Sequence, residues 1–353
     1  MPHSGNVGRT GGVRAAVKAS VLGWVRYRAE RKGPGSGNPK EGKGRSVRAR
    51  GWVLASFAVL TAGLLVFHRA VPNSVGRTGS LLESFLPWLG LVVVALLVLA
   101  ALRRSVTALV ALVLPTAGWA CLFGGLLLPE AGASPYDVVV VQHNVSDANR
   151  DPVGTARVLA DADADLLALQ ELVPPATAVY EEALAPEYPY RTVQGTVGLW
   201  SKHPLAGVRP VDIKPRGITE DWSRGLRAVV HTPHGDVAAY VAHLPSVRVR
   251  VTGLMSSWRD ESADLLGEAV AAEEQTRVIL MGDLNSTVDD RGLAPLTSRM
   301  NVAKRGFAFS FPASFPVARI DQIMARSATV GRIRTLSRTG SDHLPVAARI
   351  TLR

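Results

Sequence analysis

Cysteine is almost missing: Cys121 is the only one in 353 residues. An intramolecular disulfide is therefore excluded, and cysteine usage says nothing about compartment. A basic excess is missing where a nucleic-acid reader would carry it. The formal net charge is +11, yet residues 135–353 hold 24 Lys+Arg against 25 Asp+Glu. The excess lies in residues 1–50, with twelve Lys+Arg against Glu30 and Glu41. Proteins that neutralise phosphates along DNA present a basic face, so bulk charge argues against nucleic acid as a partner. Charge is also missing inside three apolar stretches, residues 52–67, 85–102 and 106–128. Globular helices of this length normally keep a polar face, whereas a bilayer core of ~30 Å takes about 20 apolar residues. The pattern predicts three transmembrane helices within 51–129. A basic region this long, with two more apolar stretches after the first, argues against a cleaved signal peptide.

What is present divides the chain. Residues 1–50 are rich in Gly, Ser, Pro, Arg and Lys, and Gly33-Pro34-Gly35-Ser36-Gly37 cannot bury a core. This predicts a flexible basic tail. A basic amphipathic helix over 13–29, with Val17, Leu22 and Trp24 on anionic lipid, is the alternative. Basic residues set orientation. The tail belongs in the cytoplasm, as does the Arg103-Arg104 turn, and the third stretch exits with Glu130 and no basic residue. Residues 130–135 form a linker, and 136–353 a folded domain outside the cytoplasm.

Within that domain, apolar runs repeatedly end in polar groups. Val278-Ile279-Leu280-Met281 reads as a strand buried on both faces. Gly282 releases the backbone, and Asp283 and Asn285, two apart, are expected side by side at its end. Val138 to Val141 lead into Gln142-His143-Asn144, and Leu166 to Leu169 lead into Gln170-Glu171. Asp151-Pro152 reads as a helix N-cap with proline at the first position. A hairpin joined by Pro233-His234-Gly235 ends at His243, and a helical stretch over 258–275 feeds the Asp283 strand. Each polar end alone fits a turn or a solvated loop acid. Taken together, they fit a site built on the rim of a packed sheet.

The order of these motifs resembles the endonuclease/exonuclease/phosphatase superfamily of Mg²⁺-dependent phosphoesterases. The motifs are Gln142-His143-Asn144-Val145, Leu169-Gln170-Glu171, Trp200-Ser201-Lys202-His203-Pro204, Ala242-His243-Leu244, Gly282-Asp283-Leu284-Asn285, Arg319-Ile320-Asp321 and Ser341-Asp342-His343-Leu344-Pro345-Val346. The resemblance implies an α/β fold, a four-layer αββα sandwich of the deoxyribonuclease I type, here preceded by three transmembrane helices. It implies that Asp283 activates water, Asn285 holds a phosphate oxygen, and His343 binds phosphate while oriented by Asp321. His243 is the second histidine, near the leaving group. Glu171 is the first-choice ligand for Mg²⁺ (or Mn²⁺), completed by Asp342 or Asn144, since hard cations prefer oxygen donors. Gln142-His143 before Asn144, Gln322 after Asp321 and Pro245 after His243-Leu244 depart from common members. They bear on substrate, not on reaction class.

An outward-facing site close to a bilayer makes membrane lipids the expected partners and a lipid-linked phosphate the expected substrate; no protein partner is evident. The helices-plus-domain layout also resembles actinobacterial membrane proteins linked to teicoplanin-type glycopeptide resistance. A membrane-tethered nuclease and a non-catalytic phospholipid-binding protein are the alternatives. The expected topology is checked with C-terminal reporter fusions. A reporter that works only outside the cytoplasm should be active, and activity confined to a cytoplasm-dependent reporter would refute the orientation.

Overall fold

The computed structural model describes residues 40–129 and 135–353, with side chains from residue 51 onward. Apart from the backbone of residues 40–50 and from Pro135, the expected tail and linker lie outside the described residues.

The region that holds the charge-free stretches is helical, with α1 (Lys40–Phe67), the short α2 (Thr78–Ser84), α3 (Leu89–Leu102) and α4 (Val106–Leu127). The segments Gly51–Ala70 and Val106–Leu127 are each long and apolar enough to cross a membrane. The stretch expected to span over 85–102 meets the length requirement only together with its neighbour. Its α-helical part has 14 residues, or about 21 Å at 1.5 Å per residue, short of a ~30 Å core. It qualifies only jointly with α2, across a bend of 64°. A 3-10 turn, Leu86–Trp88, separates the two. Pro87 within it has no N–H to continue a helix.

The rest of the chain alternates strands and helices. The first part runs β1 (Val138–Asn144), α5 (Pro152–Ala160), β2 (Leu166–Gln170), α6 (Ala176–Leu184), β3 (Tyr190–Gln194), β4 (Val197–Ser201) and β5 (Leu205–Pro210). Next come β6 (Gly225–Thr232), β7 (Gly235–His243), β8 (Arg248–Arg250), β9 (Gly253–Met255), α7 (Ser257–Ala271) and β10 (Val278–Asp283). The last are α8 (Ala294–Thr297), β11 (Asn301–Val302), β12 (Asp321–Arg326), β13 (Ala328–Thr335) and β14 (Val346–Leu352). The expected cap is in place, with Asp151 Oδ1 accepting from the Gly154 N–H at 2.9 Å.

Two six-stranded sheets form, ordered β13-β14-β1-β2-β4-β3 and β11-β12-β10-β7-β6-β5. Strand side chains alternate between faces, and the alternation sorts the core. Val138, Val140, Leu166 and Ala168 meet Ala239, Val241, Ile279 and Met281 between the sheets. Val141, Leu167 and Leu169 turn the other way, onto Leu159 of α5 and Tyr180 of α6. Tyr240 and Leu280 turn onto Leu266 of α7 and Leu296 of α8. The result is the expected αββα sandwich. At Gly282 a Cβ would sit 1.9 Å from the Ala242 carbonyl oxygen, so only glycine lets β10 close on β7 there.

The helical region is docked on this sandwich. Glu83 of α2, fully buried, takes a two-pronged pair from Arg291, with both contacts at 2.8 Å. Trp88 Nε1 donates to the Val317 carbonyl at 2.7 Å. The Leu254 N–H donates to the Gly76 carbonyl at 2.9 Å, and Arg77 pairs with Asp260.

A second buried pair anchors the outer side of the β6–β7 sheet. Arg227 donates to Glu273 at 2.7 and 2.8 Å, and the Tyr240 hydroxyl donates to it at 2.7 Å. Burial alone would raise the Glu273 pKa, but these donors win and bring it down to about 2. The unfolded chain takes up that proton near the ordinary glutamate value of 4.5. The pair therefore stabilises the fold above pH 4.5, and this contribution is lost as pH falls through about 2. Glu273→Gln should cost about 2 kcal/mol at neutral pH. Thermal melts of the detergent-solubilised chain test this, and the gap to wild type should shrink as the pH is lowered from 4.5 to 2.

Candidate active site

The intersheet core ends in a polar layer, and strand parity determines which residues enter it. Gln142 and Asn144 continue the inward series Val138, Val140 of β1. Asp283 continues Ile279, Met281 of β10, and His243 continues Ala239, Val241 of β7. Asp321 lies on the same face as Ile323 and Ala325 of β12. The register brings them level: Asp283 stands opposite His243 on one side and Asp321 on the other. All five are buried. Past this layer the backbone turns. Glu171, just beyond β2, and Asn285, just beyond β10, adopt positive φ of 60° and 47°. Asparagine tolerates that region, but glutamate does so rarely. Glu171 is held there from two sides. Asn144 Nδ2 donates to Oε1 at 2.9 Å, and the Asp147 N–H donates to Oε2 at 3.1 Å.

Asp321 and His343 form the tightest pair of the site. His343 Nδ1 lies 2.9 Å from Asp321 Oδ2, and Gln142 Nε2 donates to Asp321 Oδ1 at 2.5 Å. His343 Nε2 faces Asp283 Oδ2 at 3.8 Å. Burial pushes the His343 pKa down. Asp321 and then Asp283 outweigh it and lift the pKa to about 10, so the ring is a cation at neutral pH. Burial raises the Asp283 pKa and Asp321 adds to the rise, against the pull of His343 and Asn144. A carboxyl group raised toward neutrality is a more effective proton acceptor.

His243 is the opposite case. Burial, then Arg224 and His343, lower its pKa to about 3, so its ring is neutral. Arg224 Nη1 lies 3.5 Å from Nδ1. Arginine only donates, so Nδ1 accepts and Nε2 carries the hydrogen. That Nε2 is buried without a hydrogen-bond partner among the described residues, 3.6 Å from Asp283 Oδ2 and 3.8 Å from Glu171 Oε1.

The donor set fits a hard divalent cation, for which carboxylate oxygens are the preferred ligands. Asp283, Asp321 and His343 bring one ligand atom each within 4.8 Å of one another. Both Asp321 oxygens, however, are already engaged by Gln142 and His343. Each Glu171 oxygen also accepts one bond, from Asn144 and from the Asp147 N–H, but Glu171 is part-exposed where Asp321 is fully buried. Asn144 is oriented away from metal ligation. Its Oδ1 accepts the Ser146 N–H at 3.0 Å, and its Nδ2 bridges Glu171 and Asp283 at 2.9 and 3.0 Å. It positions the two acids. Asp342 is exposed, and its charge helps hold His343 protonated.

The expected side-by-side placement of Asp283 and Asn285 changes as well. The extended alternation stops at Asp283. The Asn285 N–H turns back onto Asp283 Oδ1 at 2.9 Å, and its Nδ2 donates to the Leu244 carbonyl at 2.9 Å. The roles of two residues of the site had no sequence signal. Gln142 orients Asp321. Arg224 lies at the start of the β6 segment and reaches His243 only because its N-terminal end runs antiparallel to β7. Arg224 also lines a cavity of about 570 Å³ with Trp222, Arg248, Arg250 and Trp258. Gln322, another departure, ties loops together through the Ser286 and Arg319 carbonyls at 2.9 and 2.6 Å.

Comparisons with known proteins bear on this arrangement. An endonuclease/exonuclease/phosphatase from Beutenbergia cavernae is 20% identical, with a TM-score of 0.52 over 62% of this chain and 72% of that one. A mannosyl-6-phosphatase from Bacteroides thetaiotaomicron is 18% identical, with a TM-score of 0.47 over 60% of this chain and 99% of that one. Beta toxin from Staphylococcus aureus is 15% identical, with a TM-score of 0.48 over 60% and 99%. At 20% identity the first of these is a likeness of fold alone. No curated protein matches the chain. A sequence model of the Endonuclease/Exonuclease/phosphatase family matches residues 141–343. That segment begins in β1, ends on His343, and holds Asn144, Glu171, His243, Asp283 and Asp321 between, so the chain belongs to the endonuclease/exonuclease/phosphatase family.

Proposed function

We propose that the chain is a divalent-cation-dependent phosphoester hydrolase acting on a lipid-linked phosphate at the outer face of a membrane. The observation that carries the reaction class is the buried Asp283 carboxylate, set between the Asp321–His343 pair and the free Nε2–H of His243. Glu171 and the neighbouring Asp283 oxygen would hold Mg²⁺ or Mn²⁺, which when bound supplies neutralisation of phosphate charge. The chain's own groups do the rest. Asp283 takes a proton from the attacking water. Cationic His343 binds a phosphate oxygen through Nε2–H, and Asn285 is assigned a second phosphate oxygen through its remaining amide hydrogen. His243 donates from Nε2 toward the leaving oxygen. Arg224 adds positive charge beside it, which favours developing negative charge in a dry site.

The substrate class is supported by the docking of apolar helices on the same unit as the site, through Glu83–Arg291 and Trp88–Val317. With the basic tail in the cytoplasm, the site faces outward. Lipid-linked intermediates of the envelope are then within reach. The same layout resembles the teicoplanin-resistance protein VanJ, which extends the proposal to a contribution to glycopeptide resistance.

Two outcomes test the proposal. Asp283→Ala and His343→Ala should each lower turnover by about 10²–10⁴-fold while the melting profile stays that of a folded chain. Substantial residual activity in either would defeat the assignment. The wild-type chain, assayed with Mg²⁺ and with EDTA, should cleave undecaprenyl diphosphate or a phospholipid only in the presence of the metal. Cleavage of DNA alone would overturn the lipid substrate, and indifference to EDTA would overturn the metal dependence.

A further inference from the structure

A second cavity, of about 430 Å³, lies where the helices meet the sandwich. Its walls come from both parts of the chain. Trp88, Val94, Leu97 and Trp119 belong to the helical region, while Phe307 and Phe309 belong to the loop between β11 and β12. The residues around it are almost wholly apolar, and the indole hydrogens that could have made it polar are used elsewhere. Trp88 Nε1 donates to the Val317 carbonyl, and Trp119 Nε1 donates to the Pro87 carbonyl, each at 2.7 Å. Four aromatic rings build one wall. Trp88 stacks on Phe309 at 5.3 Å, Phe309 meets Phe307 at 5.3 Å, and Phe307 stacks on Trp119 at 6.4 Å. At Gly90 a Cβ would stand 2.6 Å from Trp119 Nε1, so this glycine makes room for that ring.

The same loop runs on to the phosphate-binding histidine. Two residues past Phe309, the Phe311 ring packs on His343 with centroids 4.8 Å apart. The Leu344 N–H donates to the Ser310 carbonyl at 2.8 Å, and the Ala313 N–H to the Asp342 carbonyl at 2.6 Å. One loop thus wires an apolar cavity beside α3 and α4 to the residue that binds phosphate. The helices flanking the cavity expose Leu91, Val98, Val110 and Leu114, the side chains that hydrocarbon would surround.

We infer that this cavity receives the proximal hydrocarbon of the lipid whose phosphate is held at His343 and Asp283. The inference rests on the proposed lipid-phosphate hydrolase and assigns where its substrate's tail lies. The occupant is a long hydrocarbon chain, isoprenoid or acyl, because the walls offer it shape and apolar contact and nothing to hydrogen-bond. A chain moving from bilayer to cavity exchanges one apolar surrounding for another, so the transfer itself is nearly neutral. The gain is positional. A tail threaded past Phe309 sets the depth at which its phosphate meets Asp283, and orientation of this kind governs rate more than affinity.

The test uses the full-length chain in nanodiscs, with long-chain and short-chain substrates of two kinds, prenyl phosphates and phosphatidic acids. Wild type should prefer the long chain, and whichever kind shows the preference identifies the source of the tail. Val94→Trp and Leu97→Trp, which fill the cavity, should lower the long-to-short ratio of kcat/KM by at least tenfold. As a readout independent of turnover, a long-chain phosphate with a diazirine near the head of its tail should label the segment containing Phe307 and Phe309. If wild type cleaves lipid phosphates but the ratio is unchanged in both variants and that segment stays unlabelled, the tail assignment is overturned while the hydrolase reading stands. If wild type cleaves no lipid phosphate of either length, the hydrolase reading fails and takes this inference with it.

Discussion

Buried carboxylates cannot share a pocket as anions without a cation among them, and that constraint organises this molecule. Asp283 and Asp321 face each other across adjacent strands at the end of the intersheet core. His343 is the compensating charge. It bonds one acid at 2.9 Å and faces the other at 3.8 Å. Gln142 and Asn144 supply neutral donors to what remains. The arrangement leaves one histidine cationic and the other, His243, neutral with an unused N–H. A phosphoester site needs both kinds of group, one to bind existing negative charge and one to meet charge as it develops.

The helices are packed onto the sandwich. Glu83 is fully buried under Arg291, and the indole of Trp88 is bonded to the loop that also carries Phe311. Two cavities flank the chemistry in different characters. The one shared with Arg224 carries arginines and tryptophans, suited to a polar or charged group. The one beside α3 and α4 is apolar and aromatic.

Much of the layout of strands and helices was legible in the sequence, because it is written in periodicity. Apolar runs such as 138–141, 166–169 and 278–281 are buried on both faces, and continuous apolar runs are the signature of that environment. Glu171, His243 and Asp283 stood out because each ends such a run in a polar residue, and Asp321 through its motif Arg319-Ile320-Asp321. The roles of Arg224 and Gln142 did not, since they arise from partners 19 and 179 residues away. Asn285 and Asn144 were placed by extended alternation or by residue type, and local geometry decided otherwise. A left-handed backbone turned Asn285 onto Leu244, and the Ser146 N–H oriented the Asn144 amide.

By itself the sequence determined the apolar helices and the apolar strands with polar ends, because hydrophobic pattern is a local property of a chain; the αββα sandwich and the acid–histidine set were implied by the resemblance of its motifs to the family. Only the tertiary structure decided which histidine is charged, because that depends on burial and on carboxylates brought together from distant strands. It also decided that the middle apolar stretch is bent and short, and that a loop after β11 joins the helices to His343. Those facts depend on packing between segments that no spacing along the chain encodes.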